Sequence, residues 1–164
     1  MRIAISYLLL VLMSAAAQAE DVQRIEIYDV GIYKSQITGH EEAPGTPAGY
    51  RNVVTGIELQ QRTTTIPATS GTEFGFRYAI IGNPEGAAVN LRMVSHYPSP
   101  GLRNPKTGNA IMRGEYSVER KLGDKSWKSY LLEDDWELVP GTWTFEIWQG
   151  ERKLAEQSFT VMRP

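Results

Sequence analysis

The stretch Glu137–Val161, ELVPGTWTFEIWQGERKLAEQSFTV, decides the fold. Pro140-Gly141 is a turn signal, and it releases a run of strand formers from Thr142 to Trp148. Trp143, Phe145 and Ile147 alternate there with Thr142, Thr144, Glu146 and Trp148. A period of two residues puts the first set on one face of a strand and the second set on the other. Gln149–Lys153 then turn the chain around Gly150, and Leu154–Val161 run back to end on Phe159 and Val161. The result is a β-hairpin with one apolar face, which needs further strands to cover it.

The upstream chain supplies them. Val22–Lys34 opens with Ile25 and Ile27 on one parity and continues with Tyr28, Val30 and Ile32 on the other, so a bulge or bend is expected near Tyr28. Ser35–Gly49 is polar and punctuated by glycine and proline, and is expected to be a surface loop. Asn52–Arg62 reads as a strand with Val53, Thr55, Ile57 and Leu59 on one face, which Thr63–Ile66 extends until Pro67. Phe74, Phe76, Tyr78 and Ile80 give a clear alternation within Thr72–Gly82. Ala88–Tyr97 turns Val89, Leu91 and Met93 inward, and Ile111–Arg120 places Met112, Tyr116 and Val118 on one parity. Ser126–Leu138 permits a short helix or a strand plus a loop, and strands on both sides favour the strand. Short strands separated by turns predict an all-β, antiparallel, immunoglobulin-like β-sandwich, with a closed barrel as the competing solution.

The N-terminus predicts where this sandwich resides. Arg2, the apolar run Ile3–Met13 and the small-x-small pattern Ala17-Gln18-Ala19 form a secretory signal peptide over residues 1–19, cut between Ala19 and Glu20. The apolar run is shorter than the roughly 20 residues that a spanning helix needs, and no later run is long enough. One β-sandwich domain over residues 20–164, periplasmic or secreted, is the expectation. The chain has no cysteine, so neither disulfides nor thiol chemistry is available to it. Its 17 Lys and Arg against 19 Asp and Glu leave it mildly acidic, which argues against nucleic-acid binding.

Few residues suggest chemistry. His40 stands beside Glu41 and Glu42, but neighbours in sequence seldom aim at one metal ion without a wider scaffold, so no metal or other cofactor is expected. His96 lies on the outward parity of its strand, and no G-x-S-x-G nucleophile elbow accompanies it; a small hydrolase built on His96 is the weakest reading. Glu133, Asp134 and Asp135 look like a solvated turn without the spacing of a calcium loop. No catalytic constellation emerges, and the chain reads as a non-enzymatic binding domain. The segment Pro98–Asn109 offers Leu102, Arg103 and Lys106 as a mixed contact surface for an envelope protein, with Tyr97 at its entrance. Trp148, on the parity opposite to Trp143, and Trp127 offer stacking platforms for a glycan instead.

Several motifs carry a family likeness. I-E-I-Y-D-V-G-I-Y at Ile25–Tyr33, T-T-T-I-P-A at Thr63–Ala68 and G-F-R-Y at Gly75–Tyr78 occur with P-G-L-R-N-P at Pro100–Pro105 and W-E-L-V-P-G-T-W-T-F-E-I-W at Trp136–Trp148. Together with the signal peptide they resemble a family of secreted bacterial domains, domain of unknown function 3859. The resemblance spans nearly all of the chain after residue 19. It implies a single extracytoplasmic domain and carries no ligand, partner or catalytic residue with it.

Overall fold

The structure is a computed structural model that describes residues 21–164, so the expected leader and its cut between Ala19 and Glu20 lie outside the described residues. In chain order the strands are β1 (Asp21–Glu42), β2 (Tyr50–Arg62), β3 (Thr65–Pro67), β4 (Glu73–Asn83), β5 (Ala88–His96), β6 (Leu102–Arg103), β7 (Ala110–Ile111), β8 (Arg113–Lys121), β9 (Lys125–Leu131), β10 (Gly141–Gln149) and β11 (Arg152–Met162). One sheet has the order β2-β1-β4-β9 and the other β3-β11-β10-β5-β8, while β6 and β7 form a small separate ribbon. Every pairing is antiparallel except that of β3 with β11. This is the two-layered antiparallel sandwich that the alternating pattern predicts.

The core lies where the two alternations face each other. Phe74, Phe76, Tyr78 and Ile80 of β4 are fully buried against Trp143, Phe145 and Ile147 of β10. The Phe74 ring is the hub: it meets Trp143 edge-on at 5.6 Å, Phe159 edge-on at 5.2 Å and stacks on Phe145 at 5.5 Å. Burying each such side chain contributes roughly 1.5–3 kcal/mol, and the tilted ring geometry adds to it. The closing hairpin holds Trp143 opposite Phe159 and Gly141 opposite Val161, as its alternation requires.

The bend near Tyr28 is present as a register shift between Tyr28 and Gly31 where β1 pairs with β4. Asp29 at its centre takes φ 52°, a left-handed conformation that aspartate tolerates better than most residues. Its carboxylate meets Arg62 at 2.5 Å and Arg77 at 3.6 Å.

Four local expectations are corrected. Ser35–Glu42 is not loop but the second half of β1, because β2 supplies its backbone partners from Tyr50 to Val54 and beyond; only Ala43–Gly49 is a turn. Thr65–Pro67 does not extend β2 but crosses to the other sheet, where Ile66 is buried opposite Val161. Met112 has the inward parity but stands 52% exposed, since it precedes β8 and lies outside the sandwich. Ser126–Leu138 is both strand and helix: β9 ends at Leu131, and a 3-10 turn follows at Asp135–Glu137.

Candidate functional site

A cavity opens at one edge of the sandwich, and the chain's route explains it. β8 hydrogen-bonds to β5 in one sheet and β9 to β4 in the other, so the tight turn Leu122–Asp124 carries the chain from sheet to sheet. Both strands are edge strands, and the gap between them lacks a strand of its own. The distal half of the β1–β2 hairpin covers it. Ser35 Oγ donates to Glu73 Oε2 at 2.6 Å, and the hairpin tip docks across the gap on β8, where the Glu115 N–H donates to Gly45 O at 2.8 Å. Asn104 Nδ2 donates to Pro47 O at 3.0 Å from the side of the ribbon. Gly45 is required for this approach, because a Cβ there would lie 2.3 Å from the Glu115 carbonyl oxygen.

Beneath the hairpin remains a cavity of about 270 Å³ whose wall includes Arg51, Tyr97, Tyr116, Lys128, Tyr130 and Glu137. Lys128 is its most unusual member. It shares the inward parity of β9 with Ser126 and Tyr130 and is only 3% exposed. Gly75 lets β9 lie tightly on β4, since a Cβ there would fall 2.0 Å from the Lys128 carbonyl oxygen. The ammonium sits 4.8 Å from the centre of the Phe145 ring and 5.1 Å from that of Tyr116. Among the described residues no carboxylate comes within ion-pair distance of it. Burial, reinforced by the charge of Arg51, pushes the Lys128 amine down to about 7.

The neighbouring acids are, by contrast, engaged. Glu137 accepts from Tyr130 Oη at 2.6 Å and from the backbone N–H groups of Glu133 at 2.7 Å and Asp134 at 2.9 Å, while burial pushes its carboxyl above the usual range. Glu73 accepts from Ser35 and, at 2.7 Å, from Ser129. Glu41 is bound to Arg51, whose guanidinium lies 5.5 Å above the Tyr116 ring. Glu133 accepts from Asn52 Nδ2 at 3.2 Å, whereas the buried Asn52 Oδ1 has no partner among the described residues. Burial raises the phenols of Tyr97 and Tyr130, which stay protonated donors at neutral pH.

The residues singled out in the sequence do not form one surface. Leu102 is fully buried and packs in the core, so it is an anchor for the Pro98–Asn109 segment and not a contact for a partner. Tyr97 is buried too, edge-on to Trp143 at 5.0 Å and Tyr130 at 5.9 Å, and lines the cavity. Arg103 and Lys106 are exposed, the former donating to Gly108 O at 2.5 Å. Trp148 is half-buried elsewhere, flanked by Arg92 and Lys153, with its indole N–H donating to Glu146 at 2.8 Å. Trp127 stands 39% exposed at the cavity wall. His96 Nε2 lies 3.2 Å from Glu146, and no described serine hydroxyl bonds to it. His40 packs edge-on against Tyr50 at 4.7 Å, and no group of His, Asp and Glu side chains among the described residues converges as a metal site. Sequence reasoning missed Lys128. The signal was the common parity of Lys128 with Tyr130 and Leu132, against the habit of assigning lysine outward.

Two antiparallel sheets, packed over one aromatic core and bridged by an edge hairpin, define an immunoglobulin-like β-sandwich. A crystal structure of an immunoglobulin-like protein (PA1606) from Pseudomonas aeruginosa matches over 90% of this chain and 100% of its own, with 29% identity and a TM-score of 0.53. The family model for Domain of unknown function (DUF3859) matches residues 21–161, and the chain belongs to that family. A β-D-glucoside glucohydrolase from Trichoderma reesei aligns over 87% of this chain and 18% of its own, at 13% identity and a TM-score of 0.34. No curated protein matches the chain.

Proposed function

We propose that this chain is an exported, non-enzymatic binding domain of the cell envelope whose ligand site is the cavity between β8, β9 and the β1–β2 hairpin. One observation carries the reading: a lysine buried in a cavity wall without a counter-charge, in a fold that gains no stability from it. Concave sites lined by rings with a few convergent polar groups are where small ligands bind. Binding is favoured over catalysis because Glu73 and Glu137 spend their oxygens on hydrogen bonds that hold β1, β9 and the 3-10 turn in place. Export, to the periplasm or beyond, rests on the signal-peptide pattern at the N-terminus.

The test is backbone amide mapping by NMR against the low-molecular-mass fraction of an envelope extract and against soluble cell-wall oligosaccharides. Glycans belong in the screen because Trp127 and Tyr50 stand exposed at the cavity wall. Shifts gathered on Arg51, Tyr116, Lys128 and Tyr130 support the site. Shifts gathered on Trp148 or on Arg103–Lys106 would refute it.

A protein partner is the second reading. Its surface is the ribbon side, where Arg103, Lys106 and the 52% exposed Met112 remain accessible although Leu102 is not. A partner that co-purifies with the wild type and is lost from an Arg103→Glu, Lys106→Glu variant would support it; retention by that variant would remove it.

A further inference from the structure

The charges along the cavity wall are not matched one to one. Arg51 has Glu41, Glu137 has three donors, Glu73 has two hydroxyls and Glu133 has Asn52. Arg120 donates to Ser126 Oγ at 3.1 Å and to the Glu119 carbonyl at 2.8 Å. Lys128 has neither an ion-pair nor a hydrogen-bond partner among the described residues and faces the rings of Tyr116 and Phe145. A buried ammonium without a counter-ion is destabilising until an anion joins it. Around it the wall offers apolar and aromatic area from Met93, Tyr97, Tyr116, Val118 and Tyr130. The volume of about 270 Å³ suits a molecule of the size of a single substituted ring and not a lipid or an oligosaccharide chain.

We propose, resting on the cavity as the ligand site, that its ligand is a small organic acid, with the carboxylate seated on Lys128 and the apolar body against the rings of Tyr97, Tyr116 and Tyr130. Arg51, whose guanidinium lies 5.5 Å above the Tyr116 ring, is already paired with Glu41, which leaves Lys128 as the buried cation that an entering carboxylate meets unpaired. The titratable and charged groups that line the cavity with Lys128 are Glu41, Tyr50 and Arg51 from the hairpin, Glu73 from β4, Tyr97 after β5, Tyr116 and Arg120 from β8, Tyr130 from β9, and Glu133 and Glu137 around the 3-10 turn. Neither histidine lines it. Because the amine of Lys128 loses its proton near 7, an acid that needs the ammonium binds about tenfold more weakly at pH 8 than at pH 6.

The experiment is isothermal titration of the purified protein with phenylacetate, 2-phenylethanol and phenylphosphonate at pH 6 and pH 8, with the same probes followed by amide NMR. Phenylacetate is expected to bind at least tenfold more tightly than the neutral alcohol and to lose about tenfold at pH 8. Lys128→Met and Lys128→Gln are expected to abolish both the preference and the pH dependence while keeping the circular dichroism of the wild type. His40→Gln, at a histidine whose ring packs edge-on against Tyr50 and does not line the cavity, is expected to keep both. Equal binding of acid and alcohol within the cavity overturns the acid and leaves the site standing, as does a preference for the phosphonate. Acid binding that survives in both Lys128 variants overturns the inference as well. If no probe shifts a cavity amide and the extract screen is silent there too, the acid and the site fall together.

Discussion

Replacing Lys128 by methionine should make the protein more stable at neutral pH. In the folded chain the amine titrates near 7, against an ordinary value of 10.5. The difference of about 3.5 units, at ~1.4 kcal/mol each, sets a ceiling of about 5 kcal/mol on the destabilisation below pH 7. The ring faces of Tyr116 and Phe145 return ~1–2 kcal/mol each, which leaves a net gain of roughly 2 kcal/mol for Lys128→Met, since methionine fills the same space and favours aromatic neighbours. The sign with pH follows from proton counting. Between about 7 and 10.5 the unfolded chain holds a proton that the folded chain has released, so wild-type stability rises with pH across that window. The advantage of the variant is therefore full below pH 7 and shrinks toward pH 10. Urea unfolding followed by tryptophan fluorescence at pH 7 and pH 9.5 measures both, and a thermal midpoint raised by roughly 5 °C at pH 7 is the matching expectation. A variant less stable than the wild type at pH 7, or a gain equal at the two pH values, would show that Lys128 is not an uncompensated buried charge.

Phe74→Ala removes the hub of the ring cluster and should destabilise the fold by about 3–5 kcal/mol, read from the urea midpoint. Asn104→Ala deletes a buried donor to Pro47 O and an acceptor for the Lys106 N–H, and about 1–3 kcal/mol is expected to go with them; hydrogen exchange at the Glu115 amide should speed up as the hairpin tip loosens. Burial works to raise the Glu146 carboxyl, but donors on Trp148, His96 and Lys153 hold it below the ordinary range. The stability it contributes is present above about pH 4.5 and lost as pH falls through the lowered pKa, and Glu146→Gln should flatten that part of an acid-denaturation curve.

The sandwich was legible because alternation of Phe74, Phe76, Tyr78 and Ile80, and of Trp143, Phe145 and Ile147, survives in the buried faces without exception. The bend at Tyr28 was legible for the same reason, since a change of parity has few other causes. The site was not. Part of its wall, Ser35, Glu41 and Thr46–Ala48, comes from a segment whose polar composition is compatible with exposed loop and equally with a hairpin paired to itself outside the core. Its central residue carries a charge, and a pattern of apolar and polar letters assigns lysine to solvent unless a tertiary partner overrides it. Leu102 misled in the opposite direction: a lone leucine among prolines and glycines looks like a free contact, yet it is what ties that segment to the core.

The second sheet is finished by the end of the chain. β10 and β11 lie between β3 and β5, so strands made early stay apart until the two made late arrive. β3 has no neighbour in its sheet before β11 pairs with it in parallel, and Phe74 has neither Trp143, Phe145 nor Phe159 to pack on. Such distant pairings are slow to form and cannot be anticipated by local contacts. A chain delivered N-terminus first therefore can neither close its second sheet nor complete its aromatic core until β10 and β11 have emerged.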